Sequence, residues 1–467
     1  MKQTYDVIIV GAGPAGIFCA LELTRNSDLE VLLLDKGEGL EHRNCPSPSG
    51  QCRNCQPCAV LSGWGGAGAF SDGKLTLSSK VGGWLTDLIP AKKVEKLIEK
   101  VDRTYLEFGA PERTFGNDEE KISEISRNAV KSDLILVPSR VRHIGTEVCP
   151  VVLGNMYEEL KGKAEIQFKS MVESITVSDG AVTGIETRAG NSIDCKYLVV
   201  APGRSGAEWF DGVAGELKLS RNNNMVDIGV RVEIPEVVMA PLTDELYEPK
   251  LIYYTKASED RVRTFCMNPR GEVIKERYEE VLTVNGHSYL GKKTENTNFA
   301  LLVDKRFTEP FHEPIAYGKY IAWLANLLGD GIIVQRLGDL MAGRRSNPRR
   351  MARGTVVPTL GEATPGDLSL VLPFRYLSGI LETLSALDAL TPGVFSRNTL
   401  LYGVEVKFYG SRLKVSSALE SQVKNMFGAG DGVGITRGLV QASASGLLVA
   451  DSILKRERKG STTAPAS

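Results

Sequence analysis

The sequence lacks an excess of charge of either sign. Its 467 residues carry 56 lysines and arginines against 57 aspartates and glutamates, a net charge of -1. No strong field therefore attracts nucleic acid or an anionic membrane, and neither is expected as a partner. Apolar runs long enough to span a bilayer are also missing. Met1–Tyr5 is too short and too polar for a signal peptide, so a cytoplasmic location is expected.

Glycine, in contrast, is abundant, and the first of the glycine clusters begins the chain. Val7–Val10 is an apolar run typical of a parallel strand buried on both faces. Gly11, Gly13 and Gly16 follow with the G-x-G-x-x-G spacing, which allows a tight turn, close approach to a pyrophosphate and close helix–strand packing. The next apolar run ends in Asp35, placed to bind a ribose hydroxyl. These features predict a bound dinucleotide.

The second glycine cluster lies near the far end of the chain. The run Met426–Phe427 ends a short strand, four nearby glycines surround Asp431, and Thr436–Leu454 predicts a helix of small residues. The carboxylate can hold a ribitol hydroxyl, and the helix start can stabilise negative charge on a reduced flavin ring. This element resembles the C-terminal FAD-binding motif of the glutathione-reductase-like flavoproteins. Leu198–Ala201, turning at Gly203, resembles the middle strand of the same fold.

The resemblance implies an α/β protein with a discontinuous FAD-binding domain of Rossmann type and an inserted β-rich α+β substrate domain. The segments GWGGAGAFSDGK, RHIGTE, VDIGVRVE, RTFCMNPRGEV, VNGHSY and GDGVGITRG narrow it to a bacterial family of FAD-dependent dehydrogenases. The residues expected to bind FAD lie in the glycine-rich turns and their flanks: Gly11, Gly13, Pro14, Ala15, Gly16, Asp35, Lys36, Gly65, Gly66, Ala67, Gly68, Ser71, Asp72, Ala201, Gly203, Gly430, Asp431, Gly434, Ile435 and Thr436.

The domain organisation follows from these anchors and from the pattern between them. The predicted parts are an FAD-binding first part at 1–110, a helical connection at 111–140, an FAD-binding middle part at 141–221, a substrate or cap domain at 222–397, an FAD-binding closing part at 398–454 and a disordered tail at 455–467. No second complete G-x-G-x-x-G unit follows, so a built-in nicotinamide domain is not expected. The electrons must then come from an organic substrate, from NAD(P)H bound transiently as a co-substrate, or from an electron-transfer protein.

Half of the eight cysteines fall in the loop 44–74, at Cys45, Cys52, Cys55 and Cys58. Their C-x6-C-x2-C-x2-C spacing resembles part of an iron–sulfur ligand run, and four thiolates would also suit structural zinc. In disulfide reductases of the same superfamily a redox pair lies in this part of the chain, but with different spacing. Three interpretations remain open: a metal or iron–sulfur site, redox-active thiols, and a loop with neither function.

A flavin dehydrogenase needs a group that exchanges a proton while hydride moves to or from N5. His143 and His287 are candidates because both lie in glycine-flanked segments, and Arg344 belongs to the densest basic patch. The sequence therefore predicts an FAD-dependent oxidoreductase that transfers hydride between flavin N5 and a small organic substrate. The alternatives are a flavin monooxygenase and a flavin- or cluster-bearing electron carrier or assembly factor. Substrate identity and oligomeric state are left open.

Overall fold

The structure, a computed structural model, describes residues 2–46, 53, 55–222, 226–278, 280–289, 291–305, 311, 313–408 and 412–462. Unit 1 comprises Met1–Glu112, Arg142–Asn223 and Gly410–Ser467, and unit 2 comprises Arg113–Val141 and Asn224–Tyr409. Each unit has its own hydrophobic core.

The strands, in chain order, are β1 Thr4–Val10, β2 Val31–Leu34, β3 Lys74–Leu77, β4 Thr114–Phe115, β5 Leu134–Val137, β6 Arg140–His143, β7 Glu165–Gln167, β8 Val172–Ser178, β9 Ala181–Thr187, β10 Ser192–Val200, β11 Arg221–Asn222, β12 Val226–Pro235, β13 Lys250–Tyr254, β14 Arg261–Asn268, β15 Glu272–Tyr278, β16 Val281–His287, β17 Asn296–Lys305, β18 Ile333–Arg336, β19 Thr364–Pro365, β20 Leu400–Lys407, β21 Arg412–Leu413 and β22 Met426–Gly428. The helices are α1 Pro14–Asn26, α2 Ala91–Glu107, α3 Glu119–Lys131, α4 Cys149–Leu160, α5 Ala207–Glu216, α6 Glu236–Leu246, α7 Pro314–Gly329, α8 Leu337–Met341, α9 Pro348–Met351, α10 Phe374–Leu390 and α11 Leu439–Thr462. None of these helices has the length and apolar character needed to cross a bilayer.

Unit 1 is built on a sheet with the order β7-β2-β1-β10-β9-β8, and β22 pairs with β10. The central pairs β1–β2, β1–β10 and β10–β22 are parallel. β2 is buried along its whole length, as expected for an apolar strand covered on both faces. The β8–β9 hairpin turns at Asp179-Gly180, where both residues have positive φ, as the D-G dipeptide predicts. Because these pairs are parallel, the carboxyl ends of β1, β10 and β22 lie at the same end of the sheet.

Unit 2 is built on a mainly antiparallel sheet with the order β19-β18-β20-β12-β17-β14-β13-β5. The strand β12 is buried from Val226 to Ile234 and pairs with β17 and β20 on its two sides. Helices α7 and α10 contribute residues such as Ala322 and Ile380 to the core of this sheet. The hairpin β15–β16 forms a separate two-stranded sheet.

The predicted domain boundaries differ from these units in three places. The segment 111–140 is not only a connection, because β5 extends the sheet of unit 2 by pairing with β13. The segment 398–409 was assigned to the FAD-binding closing part, but β20 is a central strand of unit 2. The predicted disordered tail begins inside α11, which continues to Thr462. Glu457 holds this part of the helix to β10, because it accepts a hydrogen bond from the Tyr197 hydroxyl at 2.7 Å.

Candidate cofactor site

The two glycine-rich motifs, distant in sequence, meet within unit 1. A Cβ atom at Gly430 would lie 3.2 Å from the Cβ atom of Ala15. A Cβ atom at Gly446, in α11, would lie 2.0 Å from the Ala15 carbonyl oxygen, so α11 packs directly on the backbone of α1. The loop glycine Gly66 reaches the same place, because its Cβ atom would lie 3.1 Å from Gly13 Cα. Three segments of the predicted FAD site therefore converge.

The start of α1 is suited to an anion. Gly13 caps the helix without a side-chain hydrogen bond, and the first turn contains no acidic residue. Gly11 makes the preceding turn with φ of 111°, and a Cβ atom there would lie 2.1 Å from the Ala201 carbonyl oxygen. The backbone N–H groups at a helix start, together with the helix dipole, attract phosphate. The turn and helix therefore fit the pyrophosphate of a dinucleotide.

Asp35, predicted to bind a ribose hydroxyl, lies at the end of β2 and is buried. One carboxylate oxygen accepts a hydrogen bond from Ala12 N at 2.8 Å. The other accepts bonds from Gly37 N at 2.7 Å and Gly63 N at 2.8 Å. A carboxylate has roughly four acceptor positions, so three are used by the backbone. Asp35 thus fixes the glycine turn and the cysteine loop to each other, and ribose binding by its remaining position stays a prediction.

The buried guanidinium of Arg43 organises the loop that follows the cysteines, a role that the sequence analysis missed. It donates to four carbonyl oxygens: Ala59 at 2.9 Å, Val60 at 2.8 Å, Trp64 at 2.5 Å and Gly66 at 2.8 Å. Burial lowers the pKa of Arg43 to about 10. Only guanidinium has enough donors, in a planar fork, for this set of acceptors. Nothing in the local sequence distinguishes this arginine, because its acceptors are backbone atoms 16 to 23 residues away.

Lys36 links the same loop to the segment after β10. Its ammonium donates to the Ser205 carbonyl oxygen at 2.6 Å, and the Ser62 and Ser205 hydroxyls lie 3.1 Å apart. Burial lowers the pKa of Lys36, while attraction to Asp35 and Cys58 opposes that shift. The second strand, the cysteine loop and the β10 turn are therefore tied together by polar contacts.

The cysteine loop is described only in part. Cys45, Cys55 and Cys58 are free thiols and half-buried, and Cys52 lies outside the described residues. Across the described ranges of the chain, no group of three or more histidine, cysteine, aspartate and glutamate side chains could hold a metal ion. The four-cysteine metal site and the redox-thiol interpretation therefore both stay predictions.

The second motif is held by Asp431. Its carboxylate accepts a hydrogen bond from the Thr436 hydroxyl at 2.7 Å and from Gly438 N at 3.2 Å. Burial raises the pKa of Asp431, against the effect of Arg204 and of the Thr436 hydrogen bond. A cofactor hydroxyl that donates to this carboxylate would compensate part of the lost hydration. The structure thus agrees with a polar ligand group at this turn.

A further loop, Gly82–Trp84, packs on the same motif and was not among the predicted site residues. Trp84 N donates to the Ile435 carbonyl oxygen at 3.1 Å, and Arg437 N donates to the Gly82 carbonyl oxygen at 2.6 Å. The Arg437 guanidinium lies 4.0 Å from the centre of the Trp84 ring. The signal that could have found this loop is the G-G-W tripeptide, in which paired glycines precede an aromatic residue.

The other predicted FAD residues lie on the turns around this point. A Cβ atom at Gly432 would lie 2.3 Å from the Gly203 carbonyl oxygen, so the β10 turn touches the closing motif. The Ser71 hydroxyl donates to the Gly68 carbonyl oxygen at 2.8 Å. The residues placed on these turns, or in the helix start already described, are Pro14, Gly16, Gly65, Ala67, Gly68, Ser71, Asp72, Ala201, Gly203, Gly434 and Ile435. Their individual contacts to FAD stay predictions.

The three catalytic candidates are divided between the units. His143 is buried at the end of β6 in unit 1, and the next residues donate to Gly73 and Asp72 carbonyl oxygens at 3.1 and 3.0 Å. His287 ends β16 in unit 2, with its ring centre 5.0 Å from that of Tyr289. Arg344, also in unit 2, donates to the buried carboxylate of Asp339 at 2.9 Å. Only His143 is therefore tied to the predicted FAD segments.

Unit 2 contains a buried ion pair that sequence reasoning missed. Arg231 and Glu405 are both fully buried and form two hydrogen bonds of 2.7 and 2.8 Å. The remaining Arg231 donors reach the Asn298 side-chain oxygen at 2.8 Å and the Cys266 carbonyl oxygen at 3.0 Å. Cys266 itself has φ of 43° at a register shift of β14. Because β12, β14, β17 and β20 each contribute one residue, no single stretch of sequence indicates the cluster.

Comparison with known proteins gives two family matches. Residues 227–408 match the family described as FAD-dependent protein, C-terminal domain-like, and residues 9–40 match the NAD(P)-binding Rossmann-like domain. An uncharacterized protein of Clostridium beijerinckii is 29% identical over 476 residues, covering 96% of this chain and 80% of that protein.

The similar solved structures include the following three. A quinol-fumarate reductase with menaquinol molecules has a TM-score of 0.43 at 14% identity, covering 100% of this chain and 73% of that chain. L-proline dehydrogenase from P. horikoshii has 0.42 at 11%, covering 98% and 95%. Glycine oxidase from Geobacillus kaustophilus has 0.41 at 13%, covering 97% and 95%. These scores are too low to support any conclusion about a substrate.

The family matches agree with the motifs from which the site was built. The predicted Rossmann-type α/β fold and the resemblance to FAD-dependent oxidoreductases are confirmed. The two matches together support an FAD-dependent enzyme.

Proposed function

We propose that the protein is a dehydrogenase or reductase that transfers hydride between FAD and a small organic substrate. The observation that carries the proposal is the convergence in unit 1 of the N-terminal and C-terminal motifs, with Gly430 against Ala15 and Gly66 against Gly13. Both motifs would otherwise be isolated glycine turns. Their meeting supports one extended cofactor bound along the edge where β1, β10 and β22 end.

The residues present fit FAD. The uncapped start of α1 suits the pyrophosphate, and Asp431 and Thr436 provide polar groups for a ribitol chain. α11 begins after the second motif without an acidic residue in its first turn, so its dipole favours negative charge there. When bound, FAD supplies a ring that accepts or donates hydride.

The chain itself must position the reactants and handle protons. We assign proton transfer to His143, because Ile144 N and Gly145 N connect its strand to Gly73 and Asp72 of the predicted FAD loop. Residues 227–408 of unit 2 match a separate domain family, and we propose that this unit selects the substrate. His287 and Arg344 remain candidates within unit 2, although Arg344 already pairs with Asp339.

The experiment begins with the spectrum of the purified full-length protein and mass identification of the acid-released cofactor. Anaerobic mixing with NADH and, separately, with NADPH then tests whether either nicotinamide bleaches the flavin. The proposal expects bound FAD that is reversibly reduced. The His143→Gln variant should keep FAD but change the pH profile of turnover, with the exposed His42→Gln as the matched control.

Three outcomes would contradict this proposal. A colourless protein that cannot be reconstituted with FAD removes its basis. Reaction of the reduced protein with oxygen through a hydroperoxyflavin, seen in stopped flow, would favour the monooxygenase alternative. Stable partner binding without turnover by any organic or nicotinamide reductant would favour a carrier.

The cysteine loop enters the proposal separately. Cys45, Cys52, Cys55 and Cys58 are proposed as a thiolate site for iron–sulfur or zinc, supported only by their spacing. Iron, zinc and acid-labile sulfide are measured on anaerobically purified protein and on a Cys55→Ser/Cys58→Ser variant. Metal in both preparations, or in neither, would remove this part without affecting the flavin assignment.

A further inference from the structure

Helix α7 is apolar on its exposed face as well as on its buried face. Its inner face packs on the sheet of unit 2 through residues that include Ile321, Ala322 and Ala325. On the outer face, Tyr320 is 73%, Trp323 50% and Leu327 62% exposed. A helix that is hydrophobic all round is normally covered on all sides, and single exposed apolar residues are common whereas a continuous stripe is not.

The exposed residues of α7 have the spacing of a helix-packing seam. Ala316, Tyr320, Trp323 and Leu327 are exposed and separate by four, three and four residues. Alternating steps of three and four keep side chains on one line of a helix, the arrangement by which helices pack against each other in coiled coils. The stripe is therefore shaped to receive another helix.

The apolar surface continues beyond α7. The rings of Tyr317 in α7 and Tyr376 in α10 have centres 6.4 Å apart, so the first turns of the two helices are neighbours. Beside this contact, Phe374 is 85% exposed and Leu370 66% exposed. With aromatic side chains of roughly 150–250 Å², the exposed side chains of α7 together with Leu370 and Phe374 present on the order of 600–700 Å² of apolar surface. This approaches the ~800 Å² per partner of a stable interface and exceeds most patches on monomers.

We propose that α7 is a self-association surface, on which the same helix of a second copy packs in antiparallel orientation. A two-fold axis beside Trp323 would place Tyr320 against the partner's Leu327, as an isologous contact requires. In this pairing Lys319 lies opposite a position two residues before the partner's Asp330, which is an offset of ~3 Å along the helix axis. Both residues flank the stripe on the same side, one near each end of α7, so the two opposite charges meet at both ends of the pair.

This inference is independent of the proposed redox reaction, and it is tested on the full-length FAD-loaded protein. Sedimentation velocity over a concentration series should show a monomer–dimer equilibrium. Leu327→Glu places charge on the stripe and should weaken dimerisation at least tenfold while leaving FAD content and melting temperature near wild type. The matched control is Val237→Glu, which changes an apolar residue that is 72% exposed on α6 and should leave dimerisation unchanged.

The orientation is tested by a double-mutant cycle. Lys319→Glu should weaken the dimer, because it places a carboxylate near the partner's Asp330. The substitution also removes the contact of the Lys319 ammonium with the Tyr278 ring of the same chain, 5.8 Å away, and this part of the loss does not depend on Asp330. In an Asp330→Asn background the loss caused by Lys319→Glu should be several-fold smaller, because the repelling carboxylate is gone. Equal losses in both backgrounds would overturn the antiparallel arrangement.

Two further results would overturn the proposal as a whole. The first is a monomer at all concentrations. The second is binding to vesicles of phosphatidylcholine and phosphatidylglycerol that Leu327→Glu abolishes while the protein stays monomeric, which would assign the stripe to a lipid surface. In either case the FAD assignment would stand, because α7 lies in unit 2 and the FAD motifs lie in unit 1.

Discussion

Unit 1 and unit 2 solve the problem of placing polar groups in a protein interior in different ways. In unit 1 the predicted FAD site is made largely of backbone: glycine turns, a helix start without a side-chain cap, and carbonyl oxygens that accept hydrogen bonds from Arg43. In the interior of unit 2 the polar groups are mainly side chains that compensate each other's charge, of which the buried Arg231–Glu405 pair is the clearest example. Backbone-built sites depend on close approach, and side-chain-built sites depend on charge compensation.

This difference teaches where each unit is sensitive. A single added methyl group can damage unit 1, because Gly446 leaves no room for one above Ala15. In unit 2 the sensitive feature is the buried Arg231–Glu405 pair, because removal of one partner weakens the compensation of the charge that remains buried. The four predictions below test this contrast.

The largest effect is expected from Arg231→Met. The substitution removes two hydrogen bonds from the buried carboxylate of Glu405 and leaves Lys407, 3.1 Å away, as its remaining ion-pair partner. The expected cost is about 3–5 kcal/mol in the free energy of unfolding. Denaturant titration followed by circular dichroism measures it. The double variant Arg231→Met/Glu405→Leu should recover most of the loss. As a control, Lys2→Met removes an exposed ion pair with Glu30 and should cost less than about 0.5 kcal/mol. Equal losses for both single variants would show that burial does not set the cost.

The next effect is expected from Gly446→Ala in unit 1. The new methyl group would contact the Ala15 carbonyl oxygen and push α11 away from α1, which costs roughly 1–3 kcal/mol. FAD affinity, measured by fluorescence titration of the apoprotein, should fall at least tenfold. Gly212→Ala in α5 is the matched control, because a Cβ atom there meets nothing within 4 Å. That control should stabilise by about 0.5–1 kcal/mol. Normal FAD affinity in Gly446→Ala would show that FAD binding does not depend on the close contact between α11 and α1.

A smaller effect is expected from Arg43→Lys. Lysine keeps the charge but cannot serve four carbonyl oxygens in the geometry of a guanidinium, so some remain buried without a donor. The expected cost is about 1 kcal/mol, with faster proteolysis between residues 55 and 66. The exposed Arg53→Lys serves as control. Cleavage at the wild-type rate would show that the loop does not need this donor set.

The smallest effect concerns pH. Glu233 is buried and accepts hydrogen bonds from the Tyr402 hydroxyl at 2.5 Å and the Thr359 hydroxyl at 2.5 Å. Burial raises its pKa, so the folded state holds a proton that the unfolded state releases. Its contribution to stability is complete below the ordinary glutamate pKa of about 4.3 and is lost as pH rises through the raised value.

The side chain at position 233 of the Glu233→Gln variant cannot titrate. As pH rises from about 4.3 through the raised pKa of Glu233, the melting temperature of the variant relative to that of wild type should therefore increase. Thermal melts across the pH range measure the difference, and the exposed Glu30→Gln is the control for general charge effects. Parallel curves for wild type and Glu233→Gln would show that the carboxyl does not change its protonation there.

The sequence predicted much of unit 1 because its signals are local. Gly11, Gly13 and Gly16 lie within six residues, and the D-G turn at Asp179 is a dipeptide. The role of Arg43 could not be predicted from the sequence, because the groups that accept its hydrogen bonds are backbone carbonyl oxygens, which every residue has. The β20 boundary was misplaced because an apolar strand reads the same whichever sheet it joins.

By itself the sequence determined that two glycine-rich turns of the dinucleotide-binding kind exist and that each follows a strand. The spacing of glycines and apolar runs fixes this much, because it sets the local backbone conformation. The tertiary structure alone decided that α11 rests on the backbone of α1, that Asp35 binds three backbone N–H groups, and that Arg231 finds Glu405 across the sheet. Such contacts join residues far apart in the chain, and their energy depends on burial and distance, which only the folded chain sets.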